Sequence, residues 1–176
     1  GQAYDMEFES RDASVAEYIL MSEKKTGSLF ELCFEIPALI SDNYIEFKSE
    51  LKIFGRNLGV IFQIQDDILE MSTSSENMGK GIDSDIQRGK KTILSSIALD
   101  SDKSEWNNVQ EKIENTSLEE KKIILRNYYR DADIIKKADK LLLNFENKCK
   151  NIIKSLPNTI HNDMTILLNM ILKRKK

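Results

Sequence analysis

Leu58-Gly59-Val60-Ile61-Phe62-Gln63-Ile64-Gln65-Asp66-Asp67-Ile68-Leu69-Glu70 is the stretch on which the reading of the whole chain turns. No proline interrupts it, and its apolar residues recur at three and four, the period of a helix rather than a strand. At about 100° per residue, with Gln63 set to zero, Asp66, Asp67 and Glu70 fall within about 60° of Gln63, and Gly59 within about 40°. Leu58, Ile61, Ile64, Ile68 and Leu69 gather on the opposite side. Three carboxylates and one amide therefore share a stripe, backed by an apolar wall.

Carboxylates so close repel one another unless a cation sits among them. Hard oxygen ligands on one rigid face suit Mg²⁺, which keeps several waters and bridges carboxylates to phosphate oxygens. Spacing alone fits a solvated acidic face equally well. Gly59 favours the metal-binding alternative: a glycine inside a helix costs about 1 kcal/mol and calls for a reason, such as close approach of a ligand.

Outward from this helix lie lysines in glycine-flanked settings. Lys25-Thr26-Gly27 precedes it, and Gly79-Lys80, Asp85 and Gly89-Lys90-Lys91-Thr92 follow it. Lysines and threonine hydroxyls beside glycines can serve phosphate oxygens, although any one of them taken singly is more often a surface residue. Neither cluster has Walker A spacing, which excludes a P-loop.

The composition agrees with a helical protein. In 176 residues there are only 7 glycines and 2 prolines, too few for an all-β chain built on many tight turns. A 40% apolar and 31% charged make-up is that of a globular domain, and the net charge of −3 gives no basic field to recruit nucleic acid. No apolar run reaches transmembrane length and no signal pattern opens the chain. Cys33 and Cys149 lack CxxC spacing, which points to free thiols in a reducing, cytoplasmic setting. A start at Gly1 without methionine points to a piece of something longer.

Local signals divide the chain into helices. Ser14 and Glu17 form a capping box ahead of a helix to about Met21, and Lys24 to Gly27 should interrupt it. Leu29 to Ile40 is helix-compatible with a kink or break at Pro37. Ser41-Asp42-Asn43 is cap chemistry before a long helix from Tyr44 to Glu70, and Met71 to Gly89 reads as a loop. Short helices follow at Lys91 to Leu99 and Glu105 to Asn115, with a polar turn between them. A second capping box, Ser117 with Glu120, opens a helix to about Tyr129. Ala132 to Leu156 is a longer helix with an apolar stripe of Ile135, Ala138, Leu142, Phe145, Cys149 and Ile152, ended by Pro157. Met164 to Leu172 is the last helix. His161 reads as a loop residue, Trp106 as local packing and Cys33 as buried packing.

Taken in order, these pieces resemble the trans-isoprenyl (polyprenyl) diphosphate synthase family. The resemblance rests on Gly1-Gln2 with Asp5, Tyr18 ahead of Lys25-Thr26-Gly27, and Gly59 through Glu70 as the second aspartate-rich motif with its lead-in. It continues through Gly79-Lys80, Asp85 and Gly89-Lys90-Lys91-Thr92, with a weaker match in the basic end Lys173-Arg174-Lys175-Lys176. It implies an all-α fold, the C-terminal part of the terpenoid-synthase helical bundle, with residues 1–176 as a single domain cut short on its N-terminal side. It also implies a prenyltransferase that joins isopentenyl diphosphate to an allylic diphosphate, with three Mg²⁺ in the intact enzyme, a homodimer. Asp66 would be a direct metal ligand, with Asp67 and Glu70 ligating through water or from behind. Lys25 and Lys90 would contact the allylic diphosphate, with Lys80 nearby. Thr26 and Gln63 would sit against the reacting carbons or the departing diphosphate.

Two departures stand out. Glu70 occupies a position where the family usually has Asp. The first aspartate-rich motif, the arginines after it and the upstream basic pocket have no counterpart here, so the chain alone is expected to be inactive. A non-catalytic partner subunit, a class I terpene cyclase and an unrelated helical scaffold are the competing readings. The intact Asp66-Asp67 with all three lysines argues against the first of these. The Gln63-Ile64-Gln65 lead-in argues against the second.

Overall fold

A computed structural model describes residues 1–72 and 89–174, and every regular element among them is helical. In chain order these are α1 (Gln2–Glu7), α2 (Val15–Ser22), α3 (Ser28–Leu39), α4 (Lys48–Ser72), α5 (Ile93–Ser101), α6 (Lys103–Glu114), α7 (Leu118–Asp131), α8 (Ile134–Ser155) and α9 (Asn158–Leu172). None of these helices is long and apolar enough to cross a membrane. Lys80 and Asp85, like most of the expected loop from Met71 to Gly89, lie outside the described residues.

The capping signals hold. Ser14 N donates to Glu17 Oε2 at 2.9 Å and Glu17 N to Ser14 Oγ at 3.3 Å. Ser117 and Glu120 make the same reciprocal pair at α7. Pro157 separates α8 from α9, as its fixed φ and missing donor require. Asp102 ends α5 and caps α6, its Oδ1 accepting from Glu105 N at 2.9 Å, so the expected five-residue turn shrinks to a single residue.

Elsewhere the structure corrects the sequence reading. Residues Glu23–Gly27 do not interrupt the first long helix. They form a π-helical turn that passes directly from α2 into α3. Pro37 sits inside α3 without ending it, and the helix closes two residues later. Tyr44 stands outside α4, which is reached through a 3₁₀ turn at Ile45–Phe47. Asp133 adopts a left-handed conformation with φ of 56°, tolerable for a short polar side chain, and this delays α8 to Ile134. His161 belongs to α9, its Nε2 lying 2.7 Å from the Leu156 carbonyl oxygen. Cys33 is exposed rather than buried; Cys149 is the buried thiol, pushed up to about 12 by its apolar surroundings.

The chain packs as two compact units. In the first (residue 1, 19–65 and the described part of 140–175), α3 lies along α4. Phe34 meets Phe54 edge-on at 5.1 Å, and Phe30 meets Phe62 at 5.8 Å. Ala38, Leu51 and Leu156 form a small buried cluster with Phe47 and Ile152 around it. Along the same contact Glu31 accepts from Arg56 Nε at 2.8 Å and pairs with Lys52 at 3.1 Å.

In the second unit (2–18 and the described part of 66–139), α5 is the central element, with Ile93 through Ala98 all buried. Trp106 is also buried, its ring stacked against Tyr128 and Tyr129 at 5.8 and 6.1 Å. This agrees with its reading as a packing residue.

Candidate active site

Within the first unit, the π turn and α4 bring together two of the residues singled out from sequence. Thr26 Oγ1 donates to Gln63 Oε1 at 3.1 Å across 37 positions of sequence. Three glycines permit this approach. A Cβ on Gly59 would stand 2.6 Å from Gly27 Cα and 2.9 Å from Gly27 N, and one on Gly55 would stand 2.6 Å from the Phe30 carbonyl oxygen. Gly59 therefore earns its place by backbone-to-backbone packing, not by close approach of a ligand. A π turn inserts one extra residue per turn and is often found at functional positions; here it carries Lys25 and Thr26. Lys25 is half-buried.

The C-terminal tail adds a contact to the same unit. The Arg174 guanidinium lies 4.1 Å from the centroid of Phe62, the residue next to Gln63, in the cation–π range.

In the second unit, the carboxylate stripe separates into two kinds of residue. Asp66 and Glu70 keep partial exposure, whereas Asp67 is 2% exposed. The Tyr18 hydroxyl donates to Asp67 Oδ2 at 2.6 Å and the Ile93 amide donates to the same oxygen at 2.8 Å. Ile93 is the first residue of α5, where an amide has no intrahelical acceptor and negative charge is favoured. Thr92 caps the same end, accepting from Ser95 N at 3.3 Å. Burial pushes the Asp67 carboxyl up to about 6. The Tyr18 phenol, the Ile93 amide and Lys90 pull it down, and Glu70 adds to the rise. Angular position along α4 could not reveal this burial, because it depends on which helices pack there.

Asp67→Ala would remove the oxygen that accepts from the Tyr18 hydroxyl and the Ile93 amide in the core. It should cost about 2–4 kcal/mol of stability, and Tyr18→Phe about 1 kcal/mol. Urea unfolding of both single variants and the double variant measures this. Because the groups share one oxygen, the two losses should not add; strict additivity would refute the shared role.

Among the described residues no group of three or more His, Cys, Asp or Glu is arranged to hold a metal ion. Asp66 and Glu70, one turn apart on α4, nevertheless offer hard oxygens with partial exposure. That donor set fits an ion that takes one or two carboxylates from protein and its remaining ligands from phosphate and water.

The family model for polyprenyl synthetase matches residues 1–130. Over 141 residues the chain is 42% identical to the geranylgeranyl diphosphate synthase of Sulfolobus acidocaldarius, covering 78% of this chain and 41% of that protein. Over 99 residues it is 43% identical to the short chain isoprenyl diphosphate synthase of Methanocaldococcus jannaschii, covering 56% and 30%. The crystal structure of geranylgeranyl pyrophosphate synthetase from Pyrococcus horikoshii superposes with a TM-score of 0.76 at 28% identity, over 99% of this chain and 54% of that one. The helical fold is thus that of about half of an isoprenyl diphosphate synthase, and this chain belongs to the polyprenyl synthetase family. The matched stretches cover 41% and 30% of the length of these two curated relatives.

Proposed function

We propose that residues 1–176 belong to one all-α domain and supply one wall of the active site of a trans-prenyl diphosphate synthase. The intact enzyme, a homodimer, would condense isopentenyl diphosphate with an allylic diphosphate to give a longer trans-polyprenyl diphosphate. The observation that carries this reading is the Thr26–Gln63 hydrogen bond. It joins the two motifs, remote in sequence, on which the family resemblance depends.

In this reading Lys25 and Lys90 grip oxygens of the allylic diphosphate through charge-assisted hydrogen bonds. Lys80 belongs with them by resemblance. Thr26, by donating to Gln63 Oε1, fixes which way the Gln63 amide presents its N–H₂ group. Asp66 and Glu70 would hold Mg²⁺, with Asp67 contributing charge from behind; the bound ion neutralises the departing diphosphate. The allylic C–O bond breaks, the double bond of isopentenyl diphosphate attacks the allylic carbon, and the released diphosphate accepts the proton then lost. Arg174 is seated on Phe62, the neighbour of Gln63.

One wall would not suffice, since Asp66, Glu70 and a few lysines would have to offset the charge of two diphosphates, and the departing one must be neutralised in the transition state. The chain is to be incubated with Mg²⁺, geranyl diphosphate and labelled isopentenyl diphosphate. The incubation is run alone and then with the preceding half of a polyprenyl synthetase as a separate chain. Prenyl product is expected only from the pair. Product from this chain alone would overturn the two-wall argument, and no product from a verified complex of the two would overturn the function.

A further inference from the structure

The second unit contains a cavity of 220 Å³ that shares Lys90 alone with the residues assigned to the proposed prenyl transfer. Its floor is the aromatic stack of Trp106 and Tyr129, and Met71, Ile113 and Leu125 give it an apolar wall. Trp106 and Tyr129 are 4% and 3% exposed, yet neither the indole N–H nor the phenol has a hydrogen-bond partner among the described residues. Nor is either polar atom among those sealed from water without a partner; among the described residues these belong to Ser22, Glu50 and Ser96. Both residues line this cavity.

The cavity also carries cations. Lys91 is committed to Asp12, its Nζ standing 3.0 Å from Oδ1, and Gln110 Nε2 donates to that same oxygen at 3.3 Å. Lys121 lines the cavity too and pairs with no carboxylate among the described residues. Burial raises the Tyr129 phenol well above its ordinary range, so it remains a neutral donor at physiological pH. No Asp or Glu is among the described lining residues. The indole N–H, the phenol and the ammonium all donate hydrogen bonds, and two of the three cannot accept one. Such a set complements a multiply charged oxyanion, while the apolar wall suits a compact hydrocarbon body. The volume lies below the 300–1,000 Å³ typical of drug-sized ligands, which limits that body to about five carbons or a single ring.

We propose that this cavity, between α6, α7 and the start of α5, is a binding site for a small organic phosphate. The phosphate would be held by Lys121, Tyr129 and the Trp106 indole, with the apolar body against Ile113 and Leu125. Lys90 and Thr92 border the cavity as well. Occupancy would thus be felt at Lys90, one of the residues proposed to grip the substrate diphosphate.

Trp106 is the one tryptophan of the chain, so its emission reports occupancy directly. The natively folded chain, in EDTA to silence the acidic helix, is titrated with 3-methylbutyl phosphate, inorganic phosphate and 3-methylbutanol. A saturable change is expected with the first ligand, at least tenfold tighter than with either of the others. Lys121→Met and Tyr129→Phe should each weaken it fivefold or more while leaving the far-ultraviolet circular dichroism unchanged. The proposal fails if no saturable response appears up to 10 mM. It fails equally if inorganic phosphate binds as tightly, or if both variants bind like the parent chain. Because no Mg²⁺ is present, a negative result here leaves the proposed prenyl transfer standing.

Discussion

Asp66→Ala lowers the turnover of the reconstituted two-chain enzyme by about a thousandfold or more, and Glu70→Ala by about ten- to a hundredfold. Removing a group that stabilises charge only in the transition state costs two to three orders of magnitude in rate when it is one of several donors. A metal ligand sits at the upper end of that range, because its loss weakens the ion as well. Glu70 is one methylene longer and reaches by a more flexible side chain, so water can replace it at lower cost. Asp66 is half-buried and Asp67 fully buried, which supplies the control. Asp66→Asn should unfold at the same urea concentration as the parent chain, whereas Asp67→Ala should not. Equal and mild rate losses at Asp66 and Glu70 would sink the metal assignment.

Gly59→Ala destabilises the protein, against the direction that helix propensity alone would give. Alanine in a helix interior is favoured over glycine by about 1 kcal/mol. The new methyl, however, would stand 2.6 Å from Gly27 Cα and 2.9 Å from Gly27 N. Those atoms are backbone, and they belong to the π turn that carries Thr26. A side chain can rotate away from such a clash, but a backbone yields only by separating the helices. Overpacking of this kind costs about 1–3 kcal/mol, so the net change should be a lowered unfolding midpoint, deeper for Gly59→Val. A double change of Gly59 and Gly27 to alanine should be worse than either alone. The Thr26–Gln63 distance should lengthen with it, lowering the activity of the two-chain enzyme at unchanged substrate affinity. A raised midpoint for Gly59→Ala would mean that the seam is loose.

The fold was legible where the chain carries local chemistry. Ser14 with Glu17, Ser117 with Glu120, and Pro157 each mark a helix boundary by hydrogen bonding or by a missing donor, and each boundary lies where these residues place it. The π turn was not legible, because Lys24-Lys25-Thr26-Gly27 is composed like a break and nothing local distinguishes a widened turn from one. Only the packing of Gly27 against Gly59 makes the difference. The acidic stripe was legible in azimuth, yet azimuth does not say that Tyr18 and the start of α5 close over Asp67. Cys149 was legible as a member of the apolar stripe of the long helix, whereas Cys33, read as buried packing, stands exposed. Gly59 was recognised as needing a reason, and the reason turned out to be another glycine.

Glu23–Gly27 has one further consequence. A π turn holds one residue more than the α-turn it replaces, so α2 and α3 are a single rod with a phase slip. Each residue of an α-helix advances about 100°, and the slip lets Met21 and Ser22 keep their own buried face while Phe30 and Phe34 are aimed at α4. Deleting one residue here would therefore restore a regular helix and raise its intrinsic stability. The same deletion would leave the side chains downstream close to their present azimuth, because the wide turn absorbs one residue's advance of about 100° locally. The extra residue thus works as a vernier: the wide turn takes it up locally, and tightening Glu23–Gly27 into α-helix with all residues kept would swing the aromatic contacts of α3 away from α4.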